Sequence, residues 1–422
     1  MSGNGMHQTD YLMRYRTIGP RDLEAYEEMG GFCGLRKALT GEPAAVIETV
    51  KKARLAGRGG AGFDAGTKWS TVPKGEPVYV VCNADEGEPG TFKDRFLLRT
   101  APLLVIDGLI IAGFAVGANQ GSIYVRGEYP EVIEGLEAII ALLEERGFLG
   151  DDVLGSGFSF KLSVMRGGGS YVVGDETALL SSLMGRRGYP LAKPPYPTEH
   201  GLWDKPTVVH NVKTLACVPL ILCNGPEWFA GIGNPRCPGP KLFSVSGHIA
   251  NPGVYEFPMG VSLSQVLDAA GGVTGDLKAV QIGGTAGPIY DASARELNLD
   301  FASMRERGGS LGSGALVVMN SSVSMVHVLE VAMRFFSEES CGQCFSCRYG
   351  TRQLEYMANR IAVGEGRPEY PRLMRETVEA MYDASFCPFG QSIRLPLLTL
   401  LDTFGSEIAS EMVQQQYVKE VV

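Results

Sequence analysis

Cys341, Cys344 and Cys347 are spaced C-x2-C-x2-C, and a fourth cysteine, Cys387, returns far downstream with Pro388 directly after it. Two residues between successive thiolates let one tight turn at the start of a helix present three sulfurs to an iron–sulfur cubane, and Gly342 eases that turn. Zinc would use two separated C-x2-C pairs more naturally, and unligated buried thiols would need no spacing. The pattern therefore points to a [4Fe–4S] cluster, and with it to one-electron chemistry.

A second group of residues suits a phosphate-bearing or sugar-bearing cofactor. Gly57, Gly59 and Gly62 spell G-x-G-x-x-G in GRGGAGF, residues 57–63. A standard dinucleotide fingerprint follows a strand and opens a helix. Here residues 42–56 have helical periodicity, and the strand VYVV, residues 78–81, comes later. The loop is expected to cradle a phosphate or flavin in another topology, or to serve as a structural turn. Lys68 follows in GTKWS, and VYVV runs into Cys82-Asn83-Ala84-Asp85-Glu86-Gly87-Glu88. Three carboxylates thus sit at the carboxyl end of a strand, the edge where open α/β sheets bind ligands. They suit ribityl or ribose hydroxyls, with a metal site or a solvated loop as the alternatives, and Lys68 could offset a phosphate.

A second glycine loop, residues 166–171, follows an expected strand over 160–165 and precedes Gly174-Asp175-Glu176-Thr177, which opens the helix TALLSSLMG. Strand, glycine turn and helix start make an anion- and nucleotide-binding arrangement, although acidic residues in a first turn are also ordinary capping. Lys193-Pro194-Pro195-Tyr196-Pro197 is a rigid segment presenting a cation and an aromatic face, and residues 206–214 (PTVVHNVKT) follow. Taken alone, each of these could be a loop.

These residues need elements to position them. A chain of 422 residues with 45% hydrophobic and 20% charged residues is an ordinary globular chain with room for two to four domains. Its net charge of −9 argues against nucleic acid as a partner. The most apolar window, residues 101–118, carries Asp107 near its middle and is expected to be a buried core helix, so no direct membrane insertion is anticipated. Met1 to Arg16 lacks the apolar core of a secretory signal, which with a thiolate-ligated cluster predicts a cytoplasmic protein, any contact with the inner face of a membrane being made through partner subunits. Cys33, Cys82, Cys217, Cys223 and Cys237 show no paired spacing and are expected to be small buried hydrophobes. Residues 241–284 read as strand, turn, strand, helix, strand, a small β-grasp module without evident catalytic residues. From Ser322 onward four amphipathic helices follow, with the three clustered cysteines at the start of the second and Cys387 between the third and fourth.

GRGGAGF, GTKWS, CNADEGEPGTFKDR, YVRGEYP, GDETALLSSL, KPPYP, GLWDKPTVV and ESCGQCFSCR occur in an order that resembles the NADH-binding flavoprotein subunit of respiratory complex I. The same module serves as the diaphorase subunit of NAD-linked formate dehydrogenases, NAD-reducing hydrogenases and electron-bifurcating complexes. The resemblance covers roughly residues 30–400. It implies an FMN-binding Rossmann-like α/β domain over 1–238, a β-grasp (soluble ligand-binding-like) domain over 239–321 and a helical bundle over 322–422 carrying the cluster. Carried over residue by residue, the FMN site falls on Gly57, Gly59, Gly60, Lys68, Asn83, Asp85, Glu86, Tyr171, Gly174, Glu176, Asn211 and Thr214. NADH would have Phe63 and Tyr196 flanking its adenine, with Lys193 and Glu88 as polar contacts and Asp175 and Glu176 in the nucleotide region. Glu86 and Glu88 are the carboxylates expected to matter for the reaction, and Cys341, Cys344, Cys347 and Cys387 ligate the cluster.

The resemblance further implies hydride exchange between NAD(H) and FMN, single-electron transfer to the cluster, and two partners: a [2Fe–2S] thioredoxin-like subunit and a larger iron–sulfur, molybdenum or hydrogenase subunit. An extra N-terminal [2Fe–2S] domain and appended ferredoxin repeats, found in some relatives, are not expected. Asp175, His210, Lys213, Gly87, Gln343 and Ser346 depart from the usual pattern. They bear on which complex the chain serves more than on the chemistry, and Lys213 in place of Glu is expected to add positive charge near the flavin region. A relay subunit that keeps flavin and cluster without binding nicotinamide is the alternative.

Overall fold

The computed structural model describes residues 7–75 and 77–421. Its first sheet is all parallel and holds β1 (Tyr79–Ala84), β2 (Gln120–Val125), β3 (Lys161–Arg166) and β4 (Thr207–Asn211) in the order β3-β2-β1-β4. β1 and β4 are buried for most of their length, as strands covered by helices on both faces must be. The Pro102–Val116 helix is apolar almost all round and buried almost all round, as expected for residues 101–118. It packs on the Val212–Asn224 helix so closely that a Cβ at Gly108 would lie 2.0 Å from the Leu215 carbonyl oxygen. Asp107 in this core accepts hydrogen bonds from Tyr26 Oη (2.9 Å) and the Phe32 amide (3.0 Å). Burial, the larger influence, pushes its carboxyl up to about 7 despite those donors. Among the described residues no single helix is long and apolar enough to cross a membrane.

The second sheet is mixed: β5 (Pro240–Gly247), β6 (Gly253–Pro258), β7 (Leu277–Ile282), β8 (Ile289–Asp291) and β9 (Ala315–Asn320), in the order β6-β5-β9-β7-β8 with β5 and β9 parallel at its centre. The expected run of strand, strand, helix, strand is present as β5, β6, the Leu263–Ala269 helix and β7. That helix is started by a capping box between Ser262 and Gln265. The last region consists of the helices Met325–Glu339, Phe345–Ala362, Tyr370–Ala384 and Arg394–Val421, with the short Pro388–Ser392 helix after Cys387. Their apolar stripes meet in one core around Met333, Phe336, Leu354, Met374, Val378 and Leu397.

Two expectations need correction. Residues 207–211 are not a loop but strand β4, hydrogen-bonded to β1; a five-residue strand directly preceded by Pro206 and continuing into a helix shows no periodicity of its own. Cys33 and Cys223 are not isolated thiols. They form a disulfide across 190 residues of sequence, joining the Cys33–Leu39 helix to the end of the Val212–Asn224 helix. A pairing that the fold creates at such separation leaves no spacing signal. Cys82, Cys217 and Cys237 are buried and free, as expected.

Candidate active site and cluster site

β1 continues to β2 on one side and is flanked by β4 on the other, so the carboxyl ends of β1 and β4 border the point where the strand order reverses. Such switch points open a crevice for ligands. Asn83 and Asn211 stand side by side there in register. Asn83 donates to the Gly174 carbonyl (3.0 Å) and accepts from the Asp85 amide (3.0 Å). Asn211 caps the Val212–Asn224 helix by accepting from the Lys213 amide (3.1 Å) and donates to Asp94 Oδ2 (2.6 Å).

The first glycine loop lies across these two strand ends. The Gly57 amide donates to the Phe63 carbonyl (2.7 Å), closing the loop, and the Arg58 amide donates to Thr214 Oγ1 (2.9 Å), tying it to the helix after β4. A Cβ at Gly59 would come within 3.2 Å of Asn211 Cβ, and Gly60 has φ +135° with its open side toward Gly312 of the second sheet's region. The loop is thus a thin backbone wall where side chains do not fit.

The three carboxylates after β1 have different surroundings. Both oxygens of Glu86 are occupied, accepting from the Asp94 amide (2.8 Å) and the Arg95 amide (2.9 Å) at the start of the Lys93–Thr100 helix. Burial and then Asp94 push it up to about 7, against Lys93. Asp85 is also buried and pushed up to about 7, with Arg126 Nε 3.8 Å away opposing the shift. Glu88 accepts from Tyr171 Oη (2.5 Å) at one oxygen and from the Ala286 amide (3.1 Å) at the other. Burial raises it to about 6, and the donors from Tyr171, Ala286 and Thr285 restrain the rise. Beside this loop lies an open cavity of about 400 Å3 lined by Glu86, Glu88, Arg95, Arg126 and Tyr129, among others.

Lys68, Glu176 and Lys193 form a charged triad, with Glu176 2.7 Å from Lys68 Nζ and 2.9 Å from Lys193 Nζ. Burial alone would raise the Glu176 carboxyl; the two ammonium groups outweigh it and hold it at about 2. Asp175 is the N-cap of the Glu176–Leu183 helix, accepting from the Thr177 amide (2.9 Å) and the Ala178 amide (3.2 Å), and its other oxygen lies 3.7 Å from Lys193. Phe63 and Tyr196 expose 58% and 53% of their surface, large aromatic faces left to solvent. His210 is buried and accepts from Trp69 Nε1 (2.6 Å), and burial followed by the nearby Lys68 charge lowers it to about 3, so the ring is neutral. Lys213 does not face the strand-end crevice as a free charge: its ammonium is fully buried, donating to the Pro240 carbonyl and lying 3.3 Å from Cys217 Sγ.

Cys344 is the N-cap of the Phe345–Ala362 helix and Cys387 that of the Pro388–Ser392 helix; the amides of Phe386 and Cys347 act on the first sulfur and those of Phe389 and Gly390 on the second. Burial would raise the Cys344 thiol, but the amides of Phe386 and Cys347 and the Ser346 hydroxyl bring it below the ordinary value. Cys347 is pushed up to about 12 by burial, and the thiols of Cys344, Cys387 and Cys341 each add to the rise. The four sulfurs therefore sit within electrostatic reach of one another. No three His, Cys, Asp or Glu side chains among the described residues are arranged around a single ion; a cubane asks instead for one thiolate at each iron.

The residues fit the groups that the sequence implies. The close Gly59–Asn211 approach makes this face of the loop bare backbone, the kind of surface that a flat or phosphate-bearing group needs. Asp85 Oδ2 and Asp94 Oδ1 are buried beside the same strand ends without hydrogen-bond partners, acceptors suited to a polar cofactor, while the unpartnered Arg58 Nε and Nη1 lie toward Pro238 and Cys217. Residues 50–220 match the Nuo51 FMN-binding domain, residues 242–289 the SLBB domain, and residues 327–411 the NADH-ubiquinone oxidoreductase-F iron-sulfur binding region. The NADH-quinone oxidoreductase F 2 subunit of Rhizobium meliloti (strain 1021) is 43% identical over 401 residues, covering 93% of this chain and 95% of that one. The chain belongs to the flavoprotein family of NADH-quinone oxidoreductase F subunits. The HndC subunit of the NADP-reducing hydrogenase of Solidesulfovibrio fructosivorans is 41% identical over 92% of this chain and 80% of its own length. Among solved structures, an NAD+-reducing [NiFe]-hydrogenase in its H2-reduced state superposes with a TM-score of 0.85 at 34% identity, covering 97% of this chain and 68% of that one. The family membership supplies an FMN-binding domain and an iron–sulfur region in the order that the residues implied.

Sequence reasoning passed over several residues that the fold brings into the site. Arg58 was legible only as the variable letter of a glycine loop, yet its guanidinium is fully buried and donates to the Pro238 carbonyl. Arg126 reaches the Glu86 carbonyl (3.2 Å) and Glu128 (2.5 Å). Asp94 and Ala286 hold Asn211 and Glu88. Arg126 and Asp94 lie within motifs noted in the sequence; Ala286 carries no sequence signal.

Proposed function

We propose that this protein exchanges hydride equivalents with a nicotinamide nucleotide at the β1 and β4 strand ends and exchanges single electrons through Cys341, Cys344, Cys347 and Cys387. FMN, when bound, matches the two-electron nicotinamide to the one-electron cluster. The glycine loop (Gly57, Gly59, Gly60), Asn83, Asp85, Tyr171, Gly174, Asn211 and Thr214 would hold the flavin, with Lys68 and Glu176 fixing the charge beside it. Phe63 and Tyr196 offer exposed rings on which an adenine can stack, and Lys193, Asp175 and Glu88 supply polar contacts. Glu86 is proposed as a support for the loop, since both its oxygens are consumed by the helix start that follows.

The observation that carries this reading is Tyr171. Its hydroxyl donates to Glu88, its amide donates to Glu339 (2.9 Å), and its ring packs against Phe335 and Phe389, the latter two residues beyond Cys387. One residue thus links Glu88 of the proposed nucleotide crevice to the helical region that carries the cysteines, which supports a short, packed path for electron transfer between them.

The relatives include both NADH-quinone oxidoreductases and hydrogenases. We accordingly place the chain in a multi-subunit complex, working with a [2Fe–2S] thioredoxin-like subunit and a larger iron–sulfur, molybdenum or hydrogenase subunit that sets the direction of flow, with any membrane contact made by those partners. The test is an anaerobic titration of the purified protein with NADH. Bleaching of the flavin band together with a reduced-cluster EPR signal is expected; a flavin that stays oxidised would establish the relay reading instead.

A further inference from the structure

We propose that the turn from Gly284 to Ala286, between β7 and β8 of the β-grasp unit, is a positioning element for Glu88, so that this unit takes part in nucleotide recognition through its backbone. The proposal rests on the reading that Glu88 faces the nicotinamide nucleotide.

Three observations point to the turn. The Ala286 amide donates to Glu88 Oε1 at 3.1 Å across 198 residues of sequence, while Tyr171 Oη holds Oε2 at 2.5 Å. Gly284 has φ +95°, and a Cβ there would lie 2.2 Å from Glu88 Cγ and 2.6 Å from its Cδ, so the side chain reaches its donor through the space that a missing Cβ leaves. Gly287 closes the same turn, where a Cβ would meet the Ile282 carbonyl at 1.8 Å. The turn is thus shaped both to admit Glu88 and to aim an N–H at it.

The unit is held against the crevice at a second point, which keeps the turn in place. Gly60 faces Gly312, and Thr91 Oγ1 lies 2.5 Å from Ser313 Oγ. Tyr171, the other donor, is braced by Phe335, Phe389 and Glu339 of the helical region. The two oxygens of Glu88 therefore report the seating of two different units. Donors to a carboxylate favour its charged form, and a charged Glu88 favours the cationic ring of NAD+. With its burial-raised value at about 6, loss of the Ala286 donor shifts the carboxylate toward the neutral acid at physiological pH.

The experiment is calorimetric titration of the FMN-loaded protein with NAD+ between about pH 5 and pH 8.5, a range spanning the Glu88 transition. The proteins compared are the unmodified chain, Gly284→Ala, Glu88→Gln and Gly272→Ala. The last has φ +85° with nothing within 4 Å of its Cβ position, so it carries the backbone strain of an alanine at positive φ without touching Glu88. Gly284→Ala is expected to weaken NAD+ binding about tenfold at pH 7, the worth of one hydrogen bond to a charged group, and to move the pH midpoint upward; Gly272→Ala should move neither. If Gly284→Ala does not fold, Ala286→Pro removes the N–H donor and leaves Gly284 in place. Unchanged affinity and midpoint in the turn variants, with Glu88→Gln impaired, would overturn the positioning role. Unchanged binding in Glu88→Gln would overturn the reading of Glu88 itself and the proposal with it.

Discussion

At the scale of single residues, the chemistry divides between thiolates and a few charged side chains whose partners set their state. Cys387 is the only cysteine of the four that the Tyr370–Ala384 and Pro388–Ser392 helices bring back to the other three. Cys387→Ala should therefore lose the EPR signal of the reduced cluster while retaining some flavin, whereas Cys82→Ala, changing a buried thiol in β1, should keep it. An unchanged signal in the first variant would remove Cys387 from the ligand set. On the proposed reading, nucleotide choice is expected to turn on Glu176. Because its folded value of about 2 lies below the ordinary 4.5, its ion pairs contribute stability above about pH 4.5 that is lost as pH falls toward 2. At neutral pH it is ionised and occupies both Lys68 and Lys193. A carboxylate here repels a 2′-phosphate and denies it two cations, so the unmodified protein should reduce its flavin faster with NADH than with NADPH. Glu176→Gln, which frees both ammonium groups, should narrow that preference about tenfold; Asp175→Asn should narrow it less, since an asparagine can still cap the helix. Equal or faster reduction by NADPH in the unmodified protein would show that this pair does not exclude the phosphate.

At the scale of elements, the strand ends and helix starts do the positioning. Asn211 ends β4, caps the next helix and lies against Gly59, so one residue couples sheet, helix and glycine loop. Valine at position 59 would drive its branched side chain into Asn211 from a Cβ already at 3.2 Å. Gly59→Val should yield protein with normal iron content and little FMN, measured by extraction of the flavin; stoichiometric FMN would show that the loop is only a turn. Glu86 shows the same economy in reverse. A carboxylate that the sequence offered as a ligand contact is spent on the first amides of the Lys93–Thr100 helix, where the helix dipole and two N–H groups favour it.

At the scale of the whole molecule, Glu88 and Tyr171 tie the parallel-sheet region to the turn before β8 and to the C-terminal helices, and a covalent link braces the largest hydrophobic core. The Cys33–Cys223 disulfide closes a loop of 190 residues. By chain entropy alone such a link contributes up to about 5 kcal/mol in the oxidised protein. Cys33→Ser should accordingly lower the thermal midpoint measured without reductant, and a reductant should bring the unmodified chain down to the same value. Identical midpoints without reductant would show that the link carries no stability. N-terminal residues add a second brace: Glu256 of β6 is fully buried and accepts from Thr9 Oγ1 (2.8 Å) and from the amides of Tyr11 (2.8 Å), Leu12 (2.8 Å) and Met13 (3.0 Å), tying the start of the chain to the β-grasp unit.

The amino-acid sequence alone determined what depends on short-range pattern. Cysteine spacing pointed to the cluster, apolar periodicity to the four C-terminal helices and motif order to the family, while a polar run after a β-branched strand marked the edge proposed to bear ligands. Tertiary structure decided what depends on groups distant in the chain. Glu86 and Glu88 are two residues apart and alike in sequence, but one meets the amides of the next helix and the other a turn 198 residues away. Lys68 finds Glu176 across 108 residues, and Cys33 finds Cys223 across 190. Strand β4 becomes a strand by pairing with β1. A carboxylate's charge and role are set by the donors and burial around it rather than by its chain neighbours, and those surroundings exist only once the three units are packed together.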